Sequence, residues 1–273
     1  MKHILTLIFA FLFSLNTEAQ ELSENTVYDV YNNIVSSIGN VNPRAPKLLL
    51  KDSERNPASY NPIKKTITIE NKVLEICYSF GKDSLNALSY ILAHELGHAV
   101  HSQAAQDRSI LVQDAPLPLA ETASTFSELL LYDNLSDKIS DDQKKIMLSE
   151  KIDDLYATIL RQSFFTIFEV DAHDQISKGT TIDEISKTYL QNLKEQFGNA
   201  VNLSDDFAIE WSCIPHFYHT PFYCYAYSFG NLLALSLFQR YKKEGNDFVK
   251  SYIDILSAGG SKKPENLLSE HGF

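Results

Sequence analysis

The chain has 273 residues, 44% of them hydrophobic and 22% charged, with a formal net charge of −11. That is enough chain for one large domain or two small ones with a substantial core, and the acidic balance disfavours nucleic acid and anionic membrane surfaces as partners. Three cysteines, Cys77, Cys213 and Cys224, leave at least one thiol unpaired and make no cysteine metal site.

The chain starts with a targeting pattern. Lys2 and His3 precede an apolar run from Ile4 to Leu15, broken only by Thr6 and Ser14, and a polar stretch with Thr17 and Ala19 follows. This predicts a secretory signal peptide over residues 1–19, cleaved after Ala19, with export to a periplasmic or extracellular space and no stable membrane insertion afterwards. An uncleaved membrane anchor is the alternative reading. Residues 20–273 then remain as a single domain.

A helix is expected near Glu24–Ile38. Strand character follows at Lys47–Leu50 and at Lys65–Glu70, where Thr66-Ile67-Thr68-Ile69 alternates with period two. The stretch Asn56–Pro62 between them is turn-rich. Asp83-Ser84 offers an N-cap for a helix from Leu85 to about Ser102. Further helices fit Leu119–Asp133, Asp142–Ile176, Thr181–Phe197, Phe222–Glu244 and Asp247–Ser257. The fold class is therefore mainly α, with a small antiparallel β-sheet before the helix at Leu85. Ile67–Ile69 is a candidate edge for pairing with an extended ligand backbone, or a purely structural edge.

That helix carries His94-Glu95-Leu96-Gly97-His98. Residues i and i+4 share a helix face, so both imidazoles can reach one metal ion, with Glu95 beside a water held there. Gly97 costs about 1 kcal/mol of helix propensity relative to alanine, which calls for a reason such as the close approach of another element. A catalytic zinc site needs a third protein ligand from elsewhere, with the fourth position open. The candidate segment runs from Pro116 to Glu128. Glu121, Ser124 and Glu128 fall on one helical face, and on spacing alone either glutamate serves.

His94-Glu-Leu-Gly-His98 followed by Ala120-Glu121-Thr-Ala-Ser-Thr-Phe-Ser-Glu128 resembles the oligoendopeptidase F branch of the thimet oligopeptidase family. Leu160–Glu169, Trp211–Gly230 and Leu256–Pro264 are similar to later segments of the same family, in the same order. The resemblance implies a helical gluzincin-type metallopeptidase core binding one Zn2+ ion through His94, His98 and Glu121, with Glu95 as general base. Glu128 becomes a residue supporting the ligands. It also implies peptide substrates, and donors to the developing oxyanion from His216 and Tyr225, with Tyr223 next and Tyr218 and His219 behind them. Aromatic residues this dense are otherwise ordinary core.

Members of that family are typically longer, and the resemblance covers roughly the C-terminal two-thirds of the chain. A more open cleft is therefore expected. The competing function is a non-catalytic peptide-binding protein on a peptidase core, for which an intact Glu95 has no use.

Overall fold

A computed structural model describes residues 23–37, 45–52, 58–79, 81, 84–136 and 139–273. The signal segment read over residues 1–19 and the Asp83 half of the expected cap lie outside them. The described chain is mainly helical and packs as two compact units. One comprises the described residues up to Pro116 with Ala120–Ser140 and Ala234–Phe273; the other comprises Leu117–Leu119 and Asp141–Leu233.

The first unit opens with helix α1 (Glu24–Ser37) and three strands, β1 (Lys47–Lys51), β2 (Ala58–Asn61) and β3 (Thr66–Glu70). Period-two alternation in β3 puts Ile67 and Ile69 on one face, fully buried with Leu48, Val27, Val30, Leu88 and Leu92. Thr66 and Thr68 are buried as well, so β3 is covered on both faces and takes the centre of the sheet. The order is β1-β3-β2. β2 pairs antiparallel with β3, Tyr60 opposite Ile67, whereas β1 pairs parallel with it, Leu48 opposite Ile67. The sheet is thus mixed where an all-antiparallel one was expected, because the hairpin strand β3 returns between its two predecessors. β2 falls in the stretch read as turn. Ala58, Ser59 and Asn61 are poor strand formers, and pairing with β3 overrides their preference.

Helices α2 (Asn71–Ser79) and α3 (Ser84–Ala104) follow, then a short turn of helix, α4 (Leu117–Ala120), and α5 (Thr122–Ser136). The expected helix from Leu119 is therefore interrupted at Glu121, whose carbonyl accepts the Thr125 amide at 3.0 Å and starts α5.

In the second unit, α6 (Asp141–Leu155) runs through one π-helical turn, Tyr156–Arg161, into α7 (Gln162–Ser177). Helix α8 (Ile182–Phe197) starts in a capping box, Thr181 and Glu184 each satisfying the other's backbone amide. Phe165, Phe168, Tyr189, Leu193 and Cys224 form this unit's core. A 3-10 stretch, Asp205–Cys213, and the short α9 (His216–His219) lead to α10 (Tyr225–Glu244), which runs on into the first unit. α10 starts three residues later than expected because Phe222 has φ 59, a left-handed conformation that no helix accommodates. Helices α11 (Asn246–Ser257) and α12 (Pro264–Glu270) complete the chain. Cys77 and Cys224 are buried thiols and Cys213 is exposed; none is in a disulfide. Among the described residues no helix is long and apolar enough to cross a membrane.

Candidate metal centre

His94 and His98 lie one turn apart on α3, and their Nε2 atoms approach to 3.1 Å. Glu121, at the break before α5, directs Oε2 between them, 3.5 Å from His94 Nε2 and 3.4 Å from His98 Nε2. Ligand atoms about 2.0–2.1 Å from a tetrahedral ion stand about 3.4 Å from one another. The observed triangle has that size, so these three residues fit one zinc-sized ion and leave a fourth position open. No other His, Cys, Asp and Glu group of three or more with metal-site spacing occurs among the described residues.

What brings Glu121 there is the crossing of α5 over α3. A Cβ built on Gly97 would lie 2.5 Å from the Ala123 carbonyl oxygen and 2.5 Å from Ser124 Cα. The glycine between the two histidines therefore answers to the close approach expected of it. Ser124 donates its hydroxyl to Glu121 Oε2 at 2.8 Å, which orients the carboxylate. Glu128, two turns along α5, stands 2.6 Å from His94 Nδ1. A carboxylate there makes Nδ1 the protonated nitrogen and frees Nε2 to ligate. Spacing left Glu121 and Glu128 equivalent; the fold separates them, one facing Nε2 atoms and the other Nδ1.

Glu95 lines a cavity of about 410 Å3 together with His94, His98, Ser59, Tyr60, His101 and Asp114. The residue is 5% exposed, and its Oε2 has no hydrogen-bond partner among the described residues. Burial pushes its pKa up to about 7, against the pull of His94, with Glu121 adding to the rise and a backbone hydrogen bond from Tyr60 opposing it. Burial opposes the charge on His94, but the Glu128 hydrogen bond and the surrounding carboxylates outweigh it and raise its pKa. Burial dominates at His98, whose pKa is lowered, and at His101, which is pushed down to about 4, with the charge of His98 contributing.

The remaining expected residues lie in the second unit. His216 Nε2 is 3.1 Å from the Tyr227 hydroxyl. Tyr223 stacks on His216 with ring centroids 5.8 Å apart and meets Tyr227 edge-on at 5.0 Å. The structure thus groups His216 and Tyr223 with Tyr227, a residue of the same aromatic stretch that is not among the expected donors. Tyr223 precedes α10 and Tyr227 lies in its first turn. Tyr225, two residues from each, is 40% exposed. Tyr218 stacks against Trp211.

The sequence matches peptidase family M3 over residues 84–273. It is 35% identical over 193 residues to an oligoendopeptidase F homolog of Borreliella burgdorferi, covering 67% of this chain and 32% of that protein. Against oligopeptidase PepF of Bacillus subtilis the identity is 29% over 292 residues, 95% of this chain and 42% of the relative. The chain thus spans less than half the length of these relatives. Among solved structures, a peptidase from Chlamydophila abortus superposes with a TM-score of 0.71 at 25% identity, over 99% of this chain and 42% of that one. Oligoendopeptidase F from Enterococcus faecium does so with a TM-score of 0.59 at 29% identity, over 74% and 38%. The match begins at Ser84, the first residue of the histidine helix, and continues through Glu121 and the His216 group to the last residue, so the chain belongs to peptidase family M3, a family of metallopeptidases.

Proposed function

We propose that this chain is an exported zinc metallopeptidase that hydrolyses peptide bonds in oligopeptides. The observation that carries the reading is the triangle of His94, His98 and Glu121 with the buried carboxylate of Glu95 beside it. A zinc ion held by the three would polarise a scissile carbonyl and acidify a nearby water.

Each side chain then has a task of its own. Glu95 accepts a proton from the attacking water and passes it to the leaving amine. Glu128 holds the His94 ring by Nδ1, and Ser124 holds the Glu121 carboxylate. His216, Tyr223 and Tyr225 are the proposed donors to the carbonyl oxygen as it gains charge, each worth about 3 kcal/mol when well placed. Tyr227, bonded to His216, fixes that ring. The strand available to an extended substrate is β2. Ile67–Ile69 cannot serve, because β3 is paired on both sides, whereas β2 is an edge strand and its Ser59 and Tyr60 line the cavity.

Export rests on the apolar segment Ile4–Leu15 and the small residues after it. Non-catalytic peptide binding would give the buried Glu95 carboxylate, whose Oε2 has no hydrogen-bond partner among the described residues, nothing to do.

Zinc content together with cleavage of quenched peptides graded by length tests the reading. Glu95→Gln is expected to keep the ion and lose turnover by several orders of magnitude. Glu121→Ala is expected to lose the ion. Brisk cleavage by pure Glu95→Gln protein would overturn the mechanism, and a full complement of zinc in Glu121→Ala would overturn the ligand set.

A further inference from the structure

Gln113, Asp114 and Ala115 form one side of the metal-site cavity. They belong to the irregular stretch between α3 and α4, not to a helix or strand. Its tip is almost bare: Ile110 is 79% exposed and Leu111 89%. A loop with so little apolar packing has no strong reason of its own to stay in one place.

The chain just after α11 supplies the reason. Gly260 donates its amide to the Val112 carbonyl at 2.9 Å, and Arg108 Nε donates to the Ser257 carbonyl at 2.7 Å. Gly259 and Gly260 present bare Cα atoms to three successive carbonyls of the loop. A Cβ on Gly259 would lie 2.6 Å from the Val112 oxygen and 2.7 Å from the Gln113 oxygen, and one on Gly260 would lie 2.8 Å from the Asp114 oxygen. Gly259 also has φ +52, a conformation that side chains disfavour. The contact is therefore backbone on backbone. Any side chain at either glycine displaces the residues that line the cavity, while the approach of Glu121 to His94 and His98 is set by the crossing at Gly97.

We infer that Gly259 and Gly260 are positioning residues: they dock the loop Ala105–Pro116 and so set the cavity wall, Gln113–Ala115, against which a bound peptide rests. The peptide's part in this rests on the peptidase reading; the docking does not.

The full-length, zinc-loaded chain and its Gly260→Ala and Arg108→Ala variants decide it. Arg108 is exposed, so the second variant keeps the test alive if the first folds poorly. Hydrogen exchange over residues 105–116 reads the docking, and KM, kcat and zinc content with a quenched oligopeptide read its consequence. Both variants are expected to exchange at least about ten-fold faster across the loop. KM should rise about five-fold or more with kcat nearly unchanged and zinc content unaltered. Unchanged exchange overturns the docking, and faster exchange with unchanged KM overturns the role of the wall. If the unsubstituted chain neither binds nor cleaves peptide, the peptidase reading fails and the wall's role falls with it, while the exchange data still decide whether the glycines dock the loop.

Discussion

Gly97 and Ser124 meet so closely that one methyl group has no room between them: a Cβ on the glycine would sit 2.5 Å from the serine's Cα. That contact sets how far α5 stands from α3, and with it the reach of Glu121, three residues before Ser124. Gly97→Ala gains about 1 kcal/mol of helix propensity but must push the helices apart against backbone atoms. The expected result is a protein that melts lower and binds zinc at least about ten-fold more weakly, since a small misplacement of one ligand is felt in full at a metal. Chelator competition and thermal melting check this. Parental zinc affinity in Gly97→Ala would show that the crossing does not control the site.

Glu128 acts on the ion only through His94. Glu128→Gln keeps the shape and removes the charge that stands 2.6 Å from Nδ1. Zinc affinity is expected to fall about 10- to 100-fold, whereas Glu121→Ala removes a ligand and should abolish stoichiometric binding. Equal losses in the two variants would mean that the two glutamates do not divide as ligand and support, and reversed losses that their roles are exchanged.

The histidine helix was plain in the sequence because its signal is local: spacing, a cap and a long helix-compatible run all agree over twenty residues. Gly97 was legible as an anomaly, though its partner, Ser124, was not, because nothing local marks where another helix crosses. Spacing could not choose between Glu121 and Glu128, and no local pattern marks the break at Glu121 that separates them. The strand β2 was missed because its residues prefer turns, and only pairing with β3 makes it extended. Tyr227 was not legible as the partner of His216, because Tyr223 precedes α10 and no helical spacing links the group.

His101 should make the metal-free protein acid-sensitive. It is 7% exposed, and burial, helped by His98, lowers its pKa to about 4. The unfolded chain takes up this proton below about 6.5, the folded one only near 4, so between those values the unfolded state holds more protons. The contribution of neutral His101 is complete above pH 6.5 and is lost as pH falls toward 4, by up to about 3 kcal/mol. Glu95 works in the opposite direction, because its raised pKa makes the folded state the better proton binder between its unfolded value and about 7; it is present in both proteins and cancels in the comparison. Urea unfolding at pH 7 and pH 4 is expected to show a larger acid loss in the parent than in His101→Gln. The same acid loss in both would remove His101 as its source.

Glu169 and Phe222 provide the last test, within the second unit. Phe222 is held at φ 59, a region costing a side-chain-bearing residue about 1–2 kcal/mol, and its amide donates to the Glu169 carboxylate at 2.7 Å. Glu169 is 2% exposed, so losing this hydrogen bond would strand the Phe222 amide at a cost of about 1–3 kcal/mol, and the bond offsets the strained backbone just before Tyr223. Glu169→Ala should cost roughly 2–3 kcal/mol, and Glu169→Gln, which keeps an acceptor oxygen, less than half of that. Glycine adopts this φ without help. In a Phe222→Gly background the loss of Glu169 should therefore cost about 1 kcal/mol less than in the parent, read as coupling in a double-mutant cycle of urea unfolding. Strict additivity would mean that the carboxylate does not hold the strained turn, and that another contact shapes the approach to Tyr223 and His216.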